Sequence, residues 1–253
     1  MMRALFVVGA MFLAQPVFAQ SNEKYTGSNV DVRTILSFKA SDAAVQKMLP
    51  EGWEVNSPAA GPSKGANLGL SLIDQVTVQD AEGKPATTFR GAVFTIPAKK
   101  KGTDTAGTMV FTGLMSPGGA PGAYGVYVPA KAKVEREVET EADGKSTAEE
   151  KWEFKADDGS SIEVKIEYER GPALRSKVEA KVFSAAKPEF YRIYRFEQAS
   201  DVARSTANGV DRVGKISVKG TGEKLAPLFD GAQQLISVTS IPWYSRQVYL
   251  PGS

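Results

Sequence analysis

Residues 122–168, GAYGVYVPAKAKVEREVETEADGKSTAEEKWEFKADDGSSIEVKIEY, decide the architecture. Ile162, Val164, Ile166 and Tyr168 alternate with Glu163, Lys165, Glu167 and Glu169, the two-residue period of a strand with one buried face. Ala142-Asp143-Gly144-Lys145 and Asp157-Asp158-Gly159-Ser160 interrupt the run. Asp-Gly supplies the positive φ that tight hairpin turns need, so the stretch predicts a three-stranded antiparallel meander. The rest of the chain is expected to form a barrel around it.

Upstream, Val30 to Phe38 predicts a first strand, after a polar segment, Ser21 to Gly27, that predicts a loose arm. Ser41 is the expected N-cap of a short helix, with Asp42 at its positive end and Ala44, Val45, Met48 and Leu49 as its apolar stripe before Pro50. Leu68 to Val78 and Thr87 to Ile96 predict strands. Ser116-Pro117-Gly118-Gly119-Ala120-Pro121-Gly122 predicts a loop able to line a mouth; its glycines lack dinucleotide-binding spacing. Pro188 to Phe196 and Lys215 to Lys219 predict further strands, Leu225 to Leu235 a helix, and Ser240 to Pro251 a final extended segment. These elements make an α+β, β-rich fold: a single antiparallel β-barrel with a few short helices, closed or nearly closed so that strand edges are protected.

Met1 to Ala19 carries one cation, Arg3, an apolar run from Ala4 to Ala14, and small residues before Gln20. This is the pattern of a secretory signal peptide. Its apolar core is too short for the roughly 20 residues a membrane span takes. Residues 20–253 are then expected to form one exported domain, periplasmic or secreted, without a membrane span.

Composition excludes most familiar chemistry. The chain has no cysteine and no histidine, which removes thiolate and imidazole nucleophiles, bases and zinc ligands. No Asp-rich loop has calcium-binding spacing, and neither a metal nor a cofactor is expected. With 31 basic and 29 acidic residues, a net charge of +2 gives no electrostatic case for nucleic acid. The expected partner is a small-molecule ligand in the pocket that barrels of this size enclose.

The order of short segments resembles the acetoacetate decarboxylase family. Leu49-Pro50-Glu51-Gly52-Trp53-Glu54 after the helix, Ile96-Pro97 ending a strand, Gly122-Ala123-Tyr124-Gly125-Val126-Tyr127-Val128 leading into Arg136-Glu137-Val138, then Ile241-Pro242-Trp243 and Leu250-Pro251 match its sequence of landmarks. The resemblance runs from about Val30 to Pro251. It implies a cone-shaped barrel with a buried pocket, assembly as a homo-oligomer, and a lysine that forms an imine with a keto acid. A protonated imine is an electron sink, so carbon dioxide leaves without a free carbanion.

This chain departs from the family's pattern at the chemistry itself. The Pro-Lys-Lys run that comes after the Arg-Glu pair is missing, and only Lys145 stands for its first lysine, with a two-residue insertion. The carboxylate before the Ile-Pro strand end is also missing from Phe89 to Phe94. The resemblance therefore implies two readings. In one, a degenerate barrel binds a small keto acid or another carboxylated or apolar ligand, with Arg90 and Arg246 as candidate anion contacts. In the other, an active Schiff-base lyase of decarboxylase, aldolase or dehydratase type uses Lys145 as nucleophile, with Arg136 and Glu137 shaping the charge around it. The ordinary alternatives are a solvated hairpin tip for Lys145 and exposed strand residues for Arg136, Glu137 and Arg90.

Overall fold

The computed structural model describes residues 22–252, so the expected leader lies outside the described residues. In chain order the elements are β1 (Lys24–Lys39), α1 (Asp42–Lys47), β2 (Trp53–Val55), β3 (Leu68–Gln79), β4 (Arg90–Lys100), β5 (Ala106–Met115), β6 (Tyr127–Thr140), β7 (Ser146–Ala156), β8 (Ser161–Glu169), β9 (Leu174–Ser184), β10 (Tyr191–Ser205), β11 (Val210–Asp211), β12 (Val213–Thr221) and β13 (Gln234–Leu250). A 3-10 turn at Ala226–Leu228 precedes the last strand. The fold is β-rich with few helices, as the sequence predicts.

Strands β4-β5-β9-β10-β13-β1-β3 pair in a closed ring, β3 returning to β4. All its pairings are antiparallel except β5 with β9. The β5–β9 contact is short, Thr108–Val110 against Val182–Ser184. At its other end β5 pairs in parallel with β6, Gly113–Met115 against Tyr127–Pro129. From there β6, β7, β8 and β12 form an antiparallel sheet that leaves the ring.

The meander thus lies where its turns place it in sequence, but its relation to the barrel is the reverse of the expected one. It packs against the outside of the barrel wall and is not enclosed. Trp152, Phe154, Ile162, Val164, Ile166 and Tyr168 from the outer sheet share one buried core with Leu36, Phe38, Leu70, Leu72, Phe94, Ile96, Met109 and Phe111 from the barrel. A smaller apolar cluster, including Ile73, Val93, Val110, Met115, Tyr124, Val182, Tyr194 and Val248, lies inside the ring. Strands β1, β3, β4 and β5 are consequently covered on both faces, and strands with two buried faces read as near-continuous apolar runs. Ala106–Met115, AGTMVFTGLM, is one of them.

Three local expectations need correction. Of the loose arm expected over Ser21 to Gly27, the part from Lys24 is strand, pairing with the end of β13, Tyr25 opposite Tyr249. The helix expected from Leu225 to Leu235 is only the turn Ala226–Leu228, since Pro227 fits a first turn but Gly231, at φ +96°, breaks the continuation. The outer sheet also keeps an open edge at β12, where Lys215 and Lys219 lie on the exposed strand and discourage pairing with another chain. The short helix α1 forms as expected, the Ser41 hydroxyl accepting from the Ala44 N–H.

Candidate functional site: an arginine-lined cavity inside the barrel

Two connected spaces occupy the barrel interior. One, about 210 Å³, is bordered by Ser28, Asn29, Gln75, Gln79, Arg192 and Val248 among others. The second, about 330 Å³, runs between Ile35, Ser37, Leu68, Ser71, Val110, Ala180 and Val182. Arg33, Ile73, Val93, Tyr124, Tyr127, Tyr194 and Arg246 line both, forming a waist.

Strand parity delivers the charged groups to this waist. On β1, Arg33, Ile35 and Ser37 face inward, while Thr34, Leu36 and Phe38 face the outer sheet. On β13, Tyr244, Arg246 and Val248 face inward, and on β10, Arg192, Tyr194 and Phe196 do so. Arg246 is held by its Nε, which donates to Asn29 Oδ1 at 2.9 Å, and by the Tyr194 ring, whose centroid is 4.1 Å from the guanidinium. Asn29 Nδ2 in turn donates to Asp31 Oδ1 at 2.7 Å. Arg33 donates to Asp31 Oδ2 from Nε at 2.9 Å and also from Nη2, and its guanidinium lies 3.6 Å from the Tyr244 ring centre.

This network has more cation than anion. Asp31 is consumed by Arg33 and Asn29, whereas Arg192 Nε is buried without a hydrogen-bond partner. Burial disfavours the charged form of Arg246, but Tyr194, Tyr244 and Asp31 outweigh it and its pKa is raised. It remains a cation, and the part of its surface left uncovered faces the cavity.

Phenols complete the waist. Tyr124 and Tyr194 share a hydrogen bond between their hydroxyls. The Tyr127 ring fits only because its neighbours are glycines: a Cβ at Gly113 would come within 2.8 Å of it, and one at Gly122, where φ is +66°, within 2.3 Å. Burial pushes the pKa of both Tyr124 and Tyr127 up, and the nearby Tyr194 adds to it; in Tyr127 the surrounding Arg246, Arg192 and Arg33 pull the other way. Tyr168, in the outer core beside Glu150, is raised mainly by burial as well.

A raised folded pKa means that the neutral phenol is favoured in the folded state. Its contribution to stability is fully present below the unfolded value of about 10 and is lost as pH climbs towards the folded values. Stability is expected to fall above about pH 10 for this reason. In an alkaline titration, tyrosinate absorbance from these three residues should appear only together with loss of the β-sheet circular dichroism. Ionisation of all tyrosines in a still-folded protein would contradict this.

The residues singled out in the sequence are distributed differently. Arg246 lines the cavity at its waist. Lys145 does not: it is half-exposed at the β6–β7 hairpin tip, its Nζ 3.5 Å from Glu169 Oε2 and its N–H donating to Asp143 Oδ1. Arg136 and Arg90 come together, each donating to Asp74, at 2.8 and 3.0 Å, on the outer side of the barrel wall. Glu137 is exposed and borders a shallow surface groove with Arg136 and Lys151. Asp31, Arg33, Tyr124, Tyr127, Arg192 and Tyr194 were the residues not singled out for chemistry. The available signal was charge where burial was expected: Asp31 and Arg33 inside an apolar strand, and Arg192 in register with Tyr194 and Phe196 on an aromatic one.

Among the described residues, no lysine and no glutamate borders either space. Among the same residues no group of three potential metal ligands gathers, and no helix is long and apolar enough to cross a membrane.

Among solved structures, an acetoacetate decarboxylase-like enzyme from Sphingomonas wittichii RW1 superposes with a TM-score of 0.53 at 10% identity, covering 97% of this chain and 100% of that one. The chain has the acetoacetate decarboxylase-like fold. The enduracididine biosynthesis enzyme MppR, solved with HEPES buffer bound, shares it at a TM-score of 0.52 and 11% identity, with 98% of this chain and 94% of that one covered. MppR complexed with pyruvate gives 0.52 at 10% identity over 96% of each chain. No family model matches the sequence. No curated protein matches it either. At such identities the likeness is one of acetoacetate decarboxylase-like architecture, and the chemistry rests on this chain's own residues.

Proposed function

We propose that this protein is an exported pocket protein of acetoacetate decarboxylase-like fold that holds a small organic carboxylate non-covalently and forms no imine with it. The observation that carries the reading is the charge balance of the cavity: three arginines, one aspartate already paired, and no lysine. Guanidinium groups present planar forks that match a carboxylate and never deprotonate near neutral pH. Between partly apolar walls, where charges are screened less than in open solvent, an uncompensated pair of them favours an anion. Arg246 and Arg192 supply that pair, and the Tyr124–Tyr194 hydroxyls offer a further polar contact to a keto or hydroxyl oxygen. A keto acid fits the same description, and pyruvate is one of the molecules with which MppR has been solved.

Imine formation needs a lysine nitrogen at the carbonyl carbon. Lys145 lies at a solvated tip beside Glu169. Export rests on the leader-like Met1 to Ala19 and on the absence of cysteine, which leaves nothing to misoxidise outside the cytoplasm.

The test combines calorimetry and chemical trapping. Simple carboxylates and keto acids should bind the purified protein, and Arg192→Gln should weaken binding about tenfold or more, since a hydrogen bond to a charged group contributes roughly 1.5–3 kcal/mol. The same variant should leave the unfolding midpoint unchanged or slightly raised, because the Arg192 Nε has no partner to lose and the guanidinium repels its neighbours. Borohydride with a keto acid should leave no reduced adduct. A lysine adduct, at Lys145 or elsewhere, would establish the lyase reading in its place.

A further inference from the structure

The geometry points to an amphipathic ligand: a straight-chain monocarboxylate whose head lies at Arg246 and Arg192 and whose hydrocarbon body fills the second, larger space. This rests on the anion-binding reading and adds to it the part of the ligand attached to the carboxylate.

The two spaces differ in chemistry along one axis. At the smaller end stand Ser28, Asn29, Gln75 and Arg192. Past the waist the walls turn mainly to carbon, from Ile35, Leu68, Val110, Val182 and Phe196. Among the described residues, no charged side chain lines this second space beyond the two waist arginines, Arg33 and Arg246. An anion therefore has one end to occupy, and an apolar chain the other.

The room exists because small residues face inward there. Ser37, Gly69, Ser71 and Ala180 occupy positions where a larger residue would fill the barrel. Along β1 the inward row runs from Arg33 through Ile35 to Ser37, about 13 Å of strand. That distance holds an extended chain on the order of ten carbons. The pairing registers put Ser37 opposite Gly69, and Gly69 opposite Thr95, so the space continues across three strands at that depth.

One flank of this end is open. Beyond the short β5–β9 contact, residues Leu174 to Lys181 of β9 have no β5 neighbour. The unbroken β9–β10 register puts Val178 and Leu174 in the same row as Ala180 and Val182. They are 41% and 73% exposed, two of the few large apolar side chains left uncovered. An exposed apolar lip continuous with an apolar cavity suits a chain that enters or protrudes on that side.

Calorimetry with straight-chain monocarboxylates of increasing length tests this. Each buried methylene contributes enough to raise affinity about fourfold, so affinity should climb with length and level off near ten carbons. Ser71→Leu should move that plateau to chains two or three carbons shorter while acetate binds as before, which also shows that the variant folds. Ala180→Leu serves as the second variant if Ser71→Leu does not fold. Flat affinity across the series would overturn the hydrocarbon assignment and leave the anion site standing. Equal binding of the matching primary alcohols would show that the arginines do not read the head, and absence of any carboxylate binding would overturn both.

Discussion

Replacing Arg33 with methionine is expected to lower the unfolding free energy by about 3–5 kcal/mol, the cost of leaving a buried charge without its partner. Asp31 is fully buried and accepts from Arg33 and from Asn29. Methionine would keep an apolar contact with the Tyr244 ring, so packing alone would not account for the loss. Asp31, fully buried, would retain a single amide donor, Asn29 Nδ2. Adding Asp31→Asn to the same chain should recover most of the stability, because the neutral amide carries no charge to desolvate. Urea unfolding of the two single variants and the double variant measures the coupling directly. Additive losses would show that the pair contributes little and that Arg33 acts through its ring contact.

The second large effect is expected at the seam between barrel and outer sheet. Trp152 is fully buried among side chains from both layers. Its Nε1 donates to Glu150 Oε2 at 2.8 Å, and the same carboxylate accepts from Thr34 of β1 at 2.7 Å and from Tyr168 of β8 at 2.8 Å. Trp152→Ala would open a cavity there and cost about 3–5 kcal/mol. Trp152→Phe keeps most of the volume and loses one donor to a buried carboxylate, costing about 1–3 kcal/mol. The ratio between the two variants in chemical denaturation separates packing from hydrogen bonding. A loss below about 1 kcal/mol for Trp152→Ala would mean that the outer sheet is held by its β5–β6 continuity and not by this core.

The legible part of the fold was the part that solvent touches. Ile162 to Tyr168 alternates because its other face is wet, and its Asp-Gly turns break the run cleanly. Ala106–Met115 carries no such period, since the barrel interior covers one face and the outer sheet the other. Leu174–Ser184 alternates only weakly because the inward row on its first half meets an open flank. The succession of short strands and turns implied the barrel, but no local signal told which side of its wall the meander would occupy.

The site was harder to read for a different reason. Its arginines and tyrosines come from β1, β10, β13, the start of β6 and the loop that carries Tyr124, and only ring closure brings them together. Spacing along the chain holds no record of that. The Arg136-Glu137 pair and Lys145 were conspicuous because they lie close in sequence, and the same closeness puts them on one hairpin outside the barrel. Arg246 reaches the waist through the parity it shares with Tyr244 and Val248, which is legible in the sequence once the strand's inner face is known.

The pairing of the first strand with the last has a kinetic consequence. β1 has β3 on one side and β13 on the other, Lys24 opposite Leu250, so the ring cannot close until the final 17-residue strand is available. The hairpins β6–β7 and β7–β8 join neighbours in sequence and can form early, whereas closure brings together positions separated by nearly the whole chain, the kind of contact that slows folding. A growing chain would thus carry a finished outer sheet and an unzipped wall, with the rows destined for the interior still exposed to other molecules.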